Sequence, residues 1–182
     1  SGCVDAPTEH RVRSNAYLRG GSPAKALKEA DLGLSKSPKD AALLIMRGKA
    51  LFELKRLPES RQAYQKAVSA QPELEARALT EAYLGLAIVA MRLREFKVAR
   101  KHFSKLASIN PKDANARINL ARVCMQLNDL KCAVEQGEEA GRLRGGAEDV
   151  LFTLGRIYTV AKKYPEAEKT FQHICKVIPM AA

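Results

Sequence analysis

The sequence predicts an all-α protein made of five repeated pairs of helices. Prolines that can end a helix recur at separations of 34, 39 and 68 residues, at Pro38, Pro72, Pro111 and Pro179. A small residue recurs at separations of 34, 39, 34 and 34 residues, at Ala26, Ser60, Ala99, Ala133 and Ala167. Both series share one period and the same five-residue insertion, so we attribute them to one structural repeat.

Each repeat contains two helical segments joined by a short turn. In the second repeat, residues 41–54 and 57–70 carry apolar residues at helical spacing, and Pro58 suits a first helical turn. The other turns are marked by Gly, Pro, Asn or Lys, at 20–23, 128–129 and 162–165. The predicted organisation is a tail over 1–6 followed by repeats over 7–40, 41–74, 80–113, 114–147 and 148–181. The insertion 75–79 is rich in helix formers, and we expect it to lengthen the next helix by over a turn.

Composition excludes several other classes of protein. The 182 residues are 46% apolar and 28% charged, which is typical of a soluble globular chain and not of wholesale disorder. The longest apolar stretch, around residues 86–91, falls far short of the roughly 20 residues that cross a membrane. Four cysteines are too few for a disulfide-based scaffold.

The repeat resembles the tetratricopeptide repeat. That family places Leu and then a small residue in its first helix, and the corresponding pairs here are Arg47-Gly48, Leu86-Ala87, Leu120-Ala121 and Leu154-Gly155. The first repeat departs from this pattern, with Arg13-Ser14. The resemblance covers all five repeats. It implies a right-handed superhelical solenoid in which stacked repeats build one core and the first helices line a concave face.

The inward positions of these first helices are the candidate partner-binding residues. They form an apolar stripe beside a mostly basic row: Arg11, Asn15, Ile45, Lys49, Phe52, Leu84, Ile88, Met91, Ile118, Arg122, Met125, Phe152 and Arg156. Such a groove suits an extended or helical peptide whose acidic residues meet Lys49, Arg122 and Arg156. For each apolar residue of this set, the alternative interpretation is that its side chain belongs to the core.

A narrower mode of binding within the family is disfavoured. Some members hold a partner's C-terminal carboxylate with Lys, Arg and Asn, and Arg11 and Asn15 resemble half of that clamp. The other half is missing, because Ala42, Met46 and Glu81 stand where Asn, Lys or Arg would be expected.

The net charge of +11 lies mainly in the first three repeats, which carry +10. The second helix of the third repeat contributes Lys97, Arg100, Lys101 and Lys105 on one face. A solvated face is the favoured interpretation, and an acidic protein patch or lipid head groups are the alternative. Nucleic acid is not expected as a partner, because no aromatic is interleaved with the basic residues and no nucleic-acid motif is present.

No catalytic motif appears in the sequence. It has no phosphate-binding Gly loop, CxxC, HExxH or GxSxG pattern. His10, His102 and His173 fall in three different repeats, so a shared metal site is not expected. We therefore predict a protein without enzymatic activity, cofactor or metal.

Two cysteines admit two interpretations. Cys124 and Cys132 lie on opposite helices of one hairpin, each four residues from Asn128. We favour two free thiols, one half-buried and one exposed, with a disulfide as the alternative.

A weaker resemblance concerns the start of the chain. Ser1-Gly2-Cys3 followed by a short polar tail is similar to the end of a bacterial lipoprotein signal, in which cleavage precedes a lipidated Cys. Lipidation of Cys3 would tether the protein at the periplasmic face of a membrane, like repeat lipoproteins that help to assemble outer-membrane pilus or secretin machinery. Otherwise a cytoplasmic location is expected, and Ser1-Gly2 is an internal cut or a cloning remnant.

The function predicted from these features is a non-catalytic scaffold that binds another protein in its concave groove. The alternatives are a membrane-tethered assembly factor and one arm of a larger enzyme or complex subunit. The last repeat has no polar capping helix after Ala182. We therefore expect a longer array, a covering partner, or self-association through this end.

Overall fold

The structure is a computed structural model and describes residues 6–70, 76–144 and 147–177. These residues form ten α-helices and no strand, which confirms the all-α prediction. In chain order the helices are α1 (Ala6–Arg19), α2 (Pro23–Lys36), α3 (Ala41–Glu53), α4 (Leu57–Ala70), α5 (Ala76–Arg92), α6 (Phe96–Ile109), α7 (Ala114–Gln126), α8 (Leu130–Leu143), α9 (Glu148–Val160) and α10 (Tyr164–Val177). None of the described helices is both long and apolar enough to cross a membrane.

The turns inside the helix pairs share one backbone conformation. A residue with positive φ stands at the same place in every repeat, at Gly21, Lys55, Arg94, Asn128 and Lys162. Three of the five are Lys or Arg, for which the left-handed conformation costs about 1–2 kcal/mol. Within each unit the turns tolerate this cost because the chain reverses within three residues and the two helices that a turn joins pack against each other, as α3 packs on α4 and α9 on α10.

Side-chain caps fix where several helices begin. Asp40 accepts a hydrogen bond from the Leu43 backbone N–H at 3.0 Å, and Asp113 and Asp129 cap α7 and α8 in the same way. Such a cap is worth about 1 kcal/mol and pairs backbone donors that the first turn leaves open.

The chain forms two compact units, residues 1–95 and 96–182, here called the N-terminal unit and the C-terminal unit. In the N-terminal unit, small residues let the paired helices approach. Ser14 and Ala26 meet between α1 and α2, where the Ser14 hydroxyl donates to the Ala26 carbonyl at 3.0 Å. In the α3–α4 pair the serine lies on the second helix instead of the first, and the Ser60 hydroxyl donates to the Gly48 carbonyl at 2.7 Å.

The core of the N-terminal unit extends over neighbouring repeats. A buried cluster joins α3, α4 and α5 through Leu44, Ile45, Tyr64, Ala67, Ala82, Leu86 and Val89. Helix α5 has 17 residues where α3 has 13, and it takes in residues 76–79 of the insertion.

The C-terminal unit repeats the same packing with α6 to α10. Ala121 and Ala133 are fully buried on α7 and α8. A second cluster forms around Leu154, Tyr158 and Ala167, and Phe171 packs against it. Gly155 faces that Phe171 ring, and a Cβ added to Gly155 would lie 2.7 Å from Phe171 Cζ.

The structure corrects the interpretation of two cysteines. Cys124 and Cys132 form a disulfide, so the favoured interpretation of two free thiols is wrong. Their Cα atoms are 5.8 Å apart, within the range that a disulfide bridges. The physical reason is the tight turn at Asn128, which brings the end of α7 beside the start of α8.

Candidate functional site

A groove in the N-terminal unit is lined by the first helices of the first three repeats, α1, α3 and α5. It contains two adjoining pockets. The first, the polar pocket, has a volume of about 530 Å³ and includes Asn15, Arg19, Lys49, Arg77 and Glu81. The second, the apolar pocket, has a volume of about 570 Å³ and is lined chiefly by Leu18, Phe52, Tyr64, Leu84 and Ile88. Both volumes fall in the range of pockets that hold a ligand side chain or small molecule.

An ion pair marks the boundary between the two pockets. Lys49 Nζ donates to Glu81 Oε1, and both residues line both pockets. Each side chain is 41% exposed, so the pair contributes at most about 1 kcal/mol to stability. Its larger effect is electrostatic, because Glu81 offsets the charge that Lys49 would offer to a partner.

The wall of the apolar pocket is a buried tyrosine. The Tyr64 ring, 4% exposed, lies between Gly48 on α3 and Gly85 on α5. A Cβ added to Gly48 would lie 2.9 Å from Tyr64 Cζ, and one added to Gly85 would overlap the ring, with Cε2 at 2.6 Å. Burial raises the pKa of Tyr64, and the carboxylates of Glu81 and Glu53 raise it further. The ring therefore stays neutral and apolar at physiological pH.

The exposed apolar side chains of the groove come from α5. Leu84 is 38% exposed and Ile88 37% exposed, and both line the apolar pocket. Phe52 on α3 is half-buried in the same pocket. These side chains are available to a partner without any rearrangement of the core.

Other predicted residues prove to have core positions or partners within the chain. Ile45 and Ile118 are each 3% exposed, which is the core position that was the alternative interpretation. Arg11 Nη2 donates to Thr8 at 2.6 Å, and Arg122 Nη2 donates to the Thr153 hydroxyl at 2.8 Å. Part of the basic row therefore forms hydrogen bonds within the chain.

The remaining predicted residues divide between the two units. Asn15 is exposed on α1, and its side chain has no hydrogen-bond partner within the described part of the chain. Met91 is half-buried on α5. Met125, Phe152 and Arg156 belong to the C-terminal unit, where Phe152 is 52% exposed and stacks edge-on against Phe171 at 6.2 Å between centroids.

Sequence reasoning missed three charged groove residues, Arg19, Arg77 and Glu81. The insertion that contains Arg77 was predicted to lengthen a helix, as α5 does, but Arg77 was not assigned to the concave face. Glu81 was noted only as a departure from the carboxylate clamp. A signal was present, because Arg77, Glu81, Leu84 and Ile88 follow the spacing i, i+4, i+7 and i+11. Once α5 is extended to Ala76, these four residues share one face.

No cysteine or histidine of the described residues lines either pocket of the groove. The one cluster of potential metal ligands found in the described residues is Cys124, Asp129 and Cys132. Its two sulfurs are bonded to each other and so are not available to a metal. His10 Nδ1 lies 2.8 Å from Glu29 Oε2, which links α1 to α2. Cys3, the candidate lipidation site, and the chain end that was expected to be uncapped both lie outside the described residues.

Paired helices with small residues at their crossings and a groove on their first helices define a helical-repeat protein. The tetratricopeptide-repeat model matches residues 11–75 and 84–148, more than half of the chain. The chain therefore belongs to the tetratricopeptide-repeat family.

Solved structures of similar fold share little sequence with the chain. MamA (residues 41 to the end) from Desulfovibrio magneticus RS-1 is 20% identical, with a TM-score of 0.86 and 97% of each chain covered. YrrB, described as a TPR protein with an unusual peptide-binding site, is 18% identical, with a TM-score of 0.76, 92% of this chain and 84% of that chain covered. No curated protein matches the chain in sequence. At these identities the likeness shows the fold.

Proposed function

We propose that the protein is a non-catalytic scaffold that binds a segment of a partner protein in the groove of the N-terminal unit. The observation that carries this proposal is the apolar pocket, in which Leu84 and Ile88 stay more than one third exposed beside a rigid Tyr64 wall. Apolar side chains left exposed together in a concave site are typical of protein-binding surfaces. Membership of a family of protein-interaction repeats supports the same function.

The two pockets favour a partner segment of mixed chemistry. An apolar side chain of the partner fits beside Phe52, Leu84 and Ile88, where burial supplies the binding free energy. An acidic group fits the polar pocket, where Arg19 and Arg77 add positive charge. Lys49 has a smaller part than the sequence predicted, because Glu81 already engages it.

Substitutions in the apolar pocket test this function. We expect Leu84→Asp combined with Ile88→Asp to weaken capture of the natural partner at least tenfold, because two charges would be desolvated in the pocket. The measurement is quantitative affinity capture from native cells with the wild-type chain and the variant. Circular dichroism of both chains checks that helicity is unchanged.

A matched control comes from the same unit. Leu32 on α2 is 43% exposed and does not line either pocket. Leu32→Asp should retain the partners that the double variant loses. Equal capture by all three chains would rule out the groove, and equal loss in the Leu32 variant would show a general effect of surface charge.

One observation favours a second candidate, the membrane-tethered assembly factor. Structural disulfides persist in oxidising compartments such as the periplasm and are rare in the cytosol, and Cys124 and Cys132 form one. This fits a lipoprotein whose anchor is Cys3. Metabolic labelling with a fatty acid should mark the full-length wild-type protein and not Cys3→Ser, and an unlabelled wild type would exclude this candidate.

A further inference from the structure

Helix α6 differs in charge from the other second helices of the array. It carries Lys97, Arg100, Lys101 and Lys105 and no acidic residue. In contrast, α2, α4, α8 and α10 each combine basic residues with at least one Asp or Glu. Among the second helices, α6 therefore carries charge of one sign only, and its four cations outnumber the two of α7, a first helix that also has no acidic residue.

Three of these cations form a straight row, here called the lysine ridge: Lys97, Lys101 and Lys105. They follow one another at i, i+4 and i+8 and are all exposed. At 1.5 Å of rise per residue, successive members are about 6 Å apart and the ridge is about 12 Å long. Like charges at this spacing repel one another, so the row is unfavourable for the isolated helix.

The ridge has no counter-charge of its own within the described residues of the chain. None of its three lysines forms an ion pair there. Arg100, on the same helix, shows the contrast, because its Nη2 lies 3.0 Å from Asp129 Oδ2. The three lysines therefore present an unneutralised positive row to solvent.

The surroundings of the ridge distinguish between anionic partners. The Arg100–Asp129 contact places the start of α8 beside α6, and α8 exposes Glu135 and Glu138. An anionic membrane or a nucleic acid that extended from α6 over α8 would meet these carboxylates. A narrow acidic segment that lies along α6 alone avoids them, and carboxylates on every fourth residue of a helix or on alternate residues of a strand repeat at about 6–7 Å.

We propose that the lysine ridge is a second docking surface that binds an acidic segment of a partner protein. The recognition is electrostatic, with each lysine opposite one carboxylate, so the affinity falls as salt screens these contacts. The proposal is independent of the groove, because every residue that it uses belongs to the C-terminal unit.

The test uses a fluorescein-labelled peptide of ten glutamates and the full chain. Fluorescence anisotropy at low salt should show binding by the wild type and a loss of about tenfold in affinity for Lys97→Gln, Lys101→Gln and Lys105→Gln together. The matched control is Lys162→Gln, Lys169→Gln and Lys176→Gln, which removes the same charge from exposed positions of the same unit. This control should bind within about twofold of the wild type.

Three results would overturn the proposal. The first is no binding of the peptide by the wild type. The second is an equal loss in both triple variants, which would make net charge the cause. The third is a ridge-dependent binding of phosphatidylserine vesicles or of poly-uridine RNA that exceeds the binding of the peptide at the same salt. Circular dichroism of the variants excludes unfolding as a cause of lost binding.

Discussion

The Gly85→Ala variant is expected to lose about 2 kcal/mol or more of its free energy of unfolding. The added methyl group would overlap the Tyr64 ring, with Cε2 at 2.6 Å. The ring cannot move away, because Gly48 on α3 packs against it and it is 4% exposed. Overpacking outweighs the gain of up to about 1 kcal/mol that Ala brings to a helix interior. Chemical denaturation of the purified chain measures the change.

Introducing Gly85→Ala into a chain that lacks the Tyr64 ring tests whether that ring causes the loss of stability. With Tyr64→Leu in place, Gly85→Ala should become neutral or stabilising, because the ring atoms it meets are gone. The two substitutions should therefore couple by about 2 kcal/mol in a double-mutant cycle. Gly141→Ala is the matched control, since its nearest neighbour is Leu154 Cδ2 at 3.4 Å. That control should stabilise the chain slightly, and an identical gain for Gly85→Ala would show that Tyr64 does not pack against Gly85.

Reduction of the Cys124–Cys132 disulfide is expected to lower the free energy of unfolding by about 2–3 kcal/mol. The bond closes a short loop, with a sequence separation of 8, so it restricts the unfolded chain less than a long-range bridge would. Chemical denaturation with and without a phosphine reductant measures the difference. Replacing the partly exposed Cys132 by Ser should give the stability of the reduced chain without any reductant.

The remaining described cysteine supplies the control for this prediction. Cys175 is free and exposed on α10. Cys175→Ser should leave the stability unchanged, and the sensitivity to reductant should persist in that variant. A chain whose stability does not respond to the reductant, and whose four cysteines all titrate as thiols, would contradict the disulfide.

The repeat could be predicted from the sequence because it depends on the packing of helices that are adjacent in the chain. Close approach of paired helices requires a small residue where they cross. The regularly spaced series that includes Ser60 and Ala133 marks these positions. The positive-φ turns follow the same interval but could not be predicted from residue type. Lys55, Arg94 and Lys162 adopt a conformation that favours Gly, and at Lys55 and Lys162 it is the packing of the joined helices that selects it.

The groove could be predicted only in part, because the charge and exposure of its side chains depend on contacts between repeats. The Lys49–Glu81 pair joins residues 32 positions apart, and no local pattern indicates it. Helical spacing assigned Ile45 to the same inward face as Lys49 and Phe52. In the structure the Ile45 side chain is buried and has almost no surface left for a partner. Helical spacing identifies a face, and the neighbouring helices decide how much of that face remains exposed.

Hydrogen exchange of the chain with and without its captured partner tests the central claim most directly. If the groove of the N-terminal unit binds the partner, amides of α3 and α5 that lie along the two pockets should exchange more slowly in the complex, and amides of α2 should be unchanged. The Leu84→Asp, Ile88→Asp variant should show no such protection. Slower exchange confined to α2 and α4, with α3 and α5 unaffected, would contradict the account and assign binding to the opposite face.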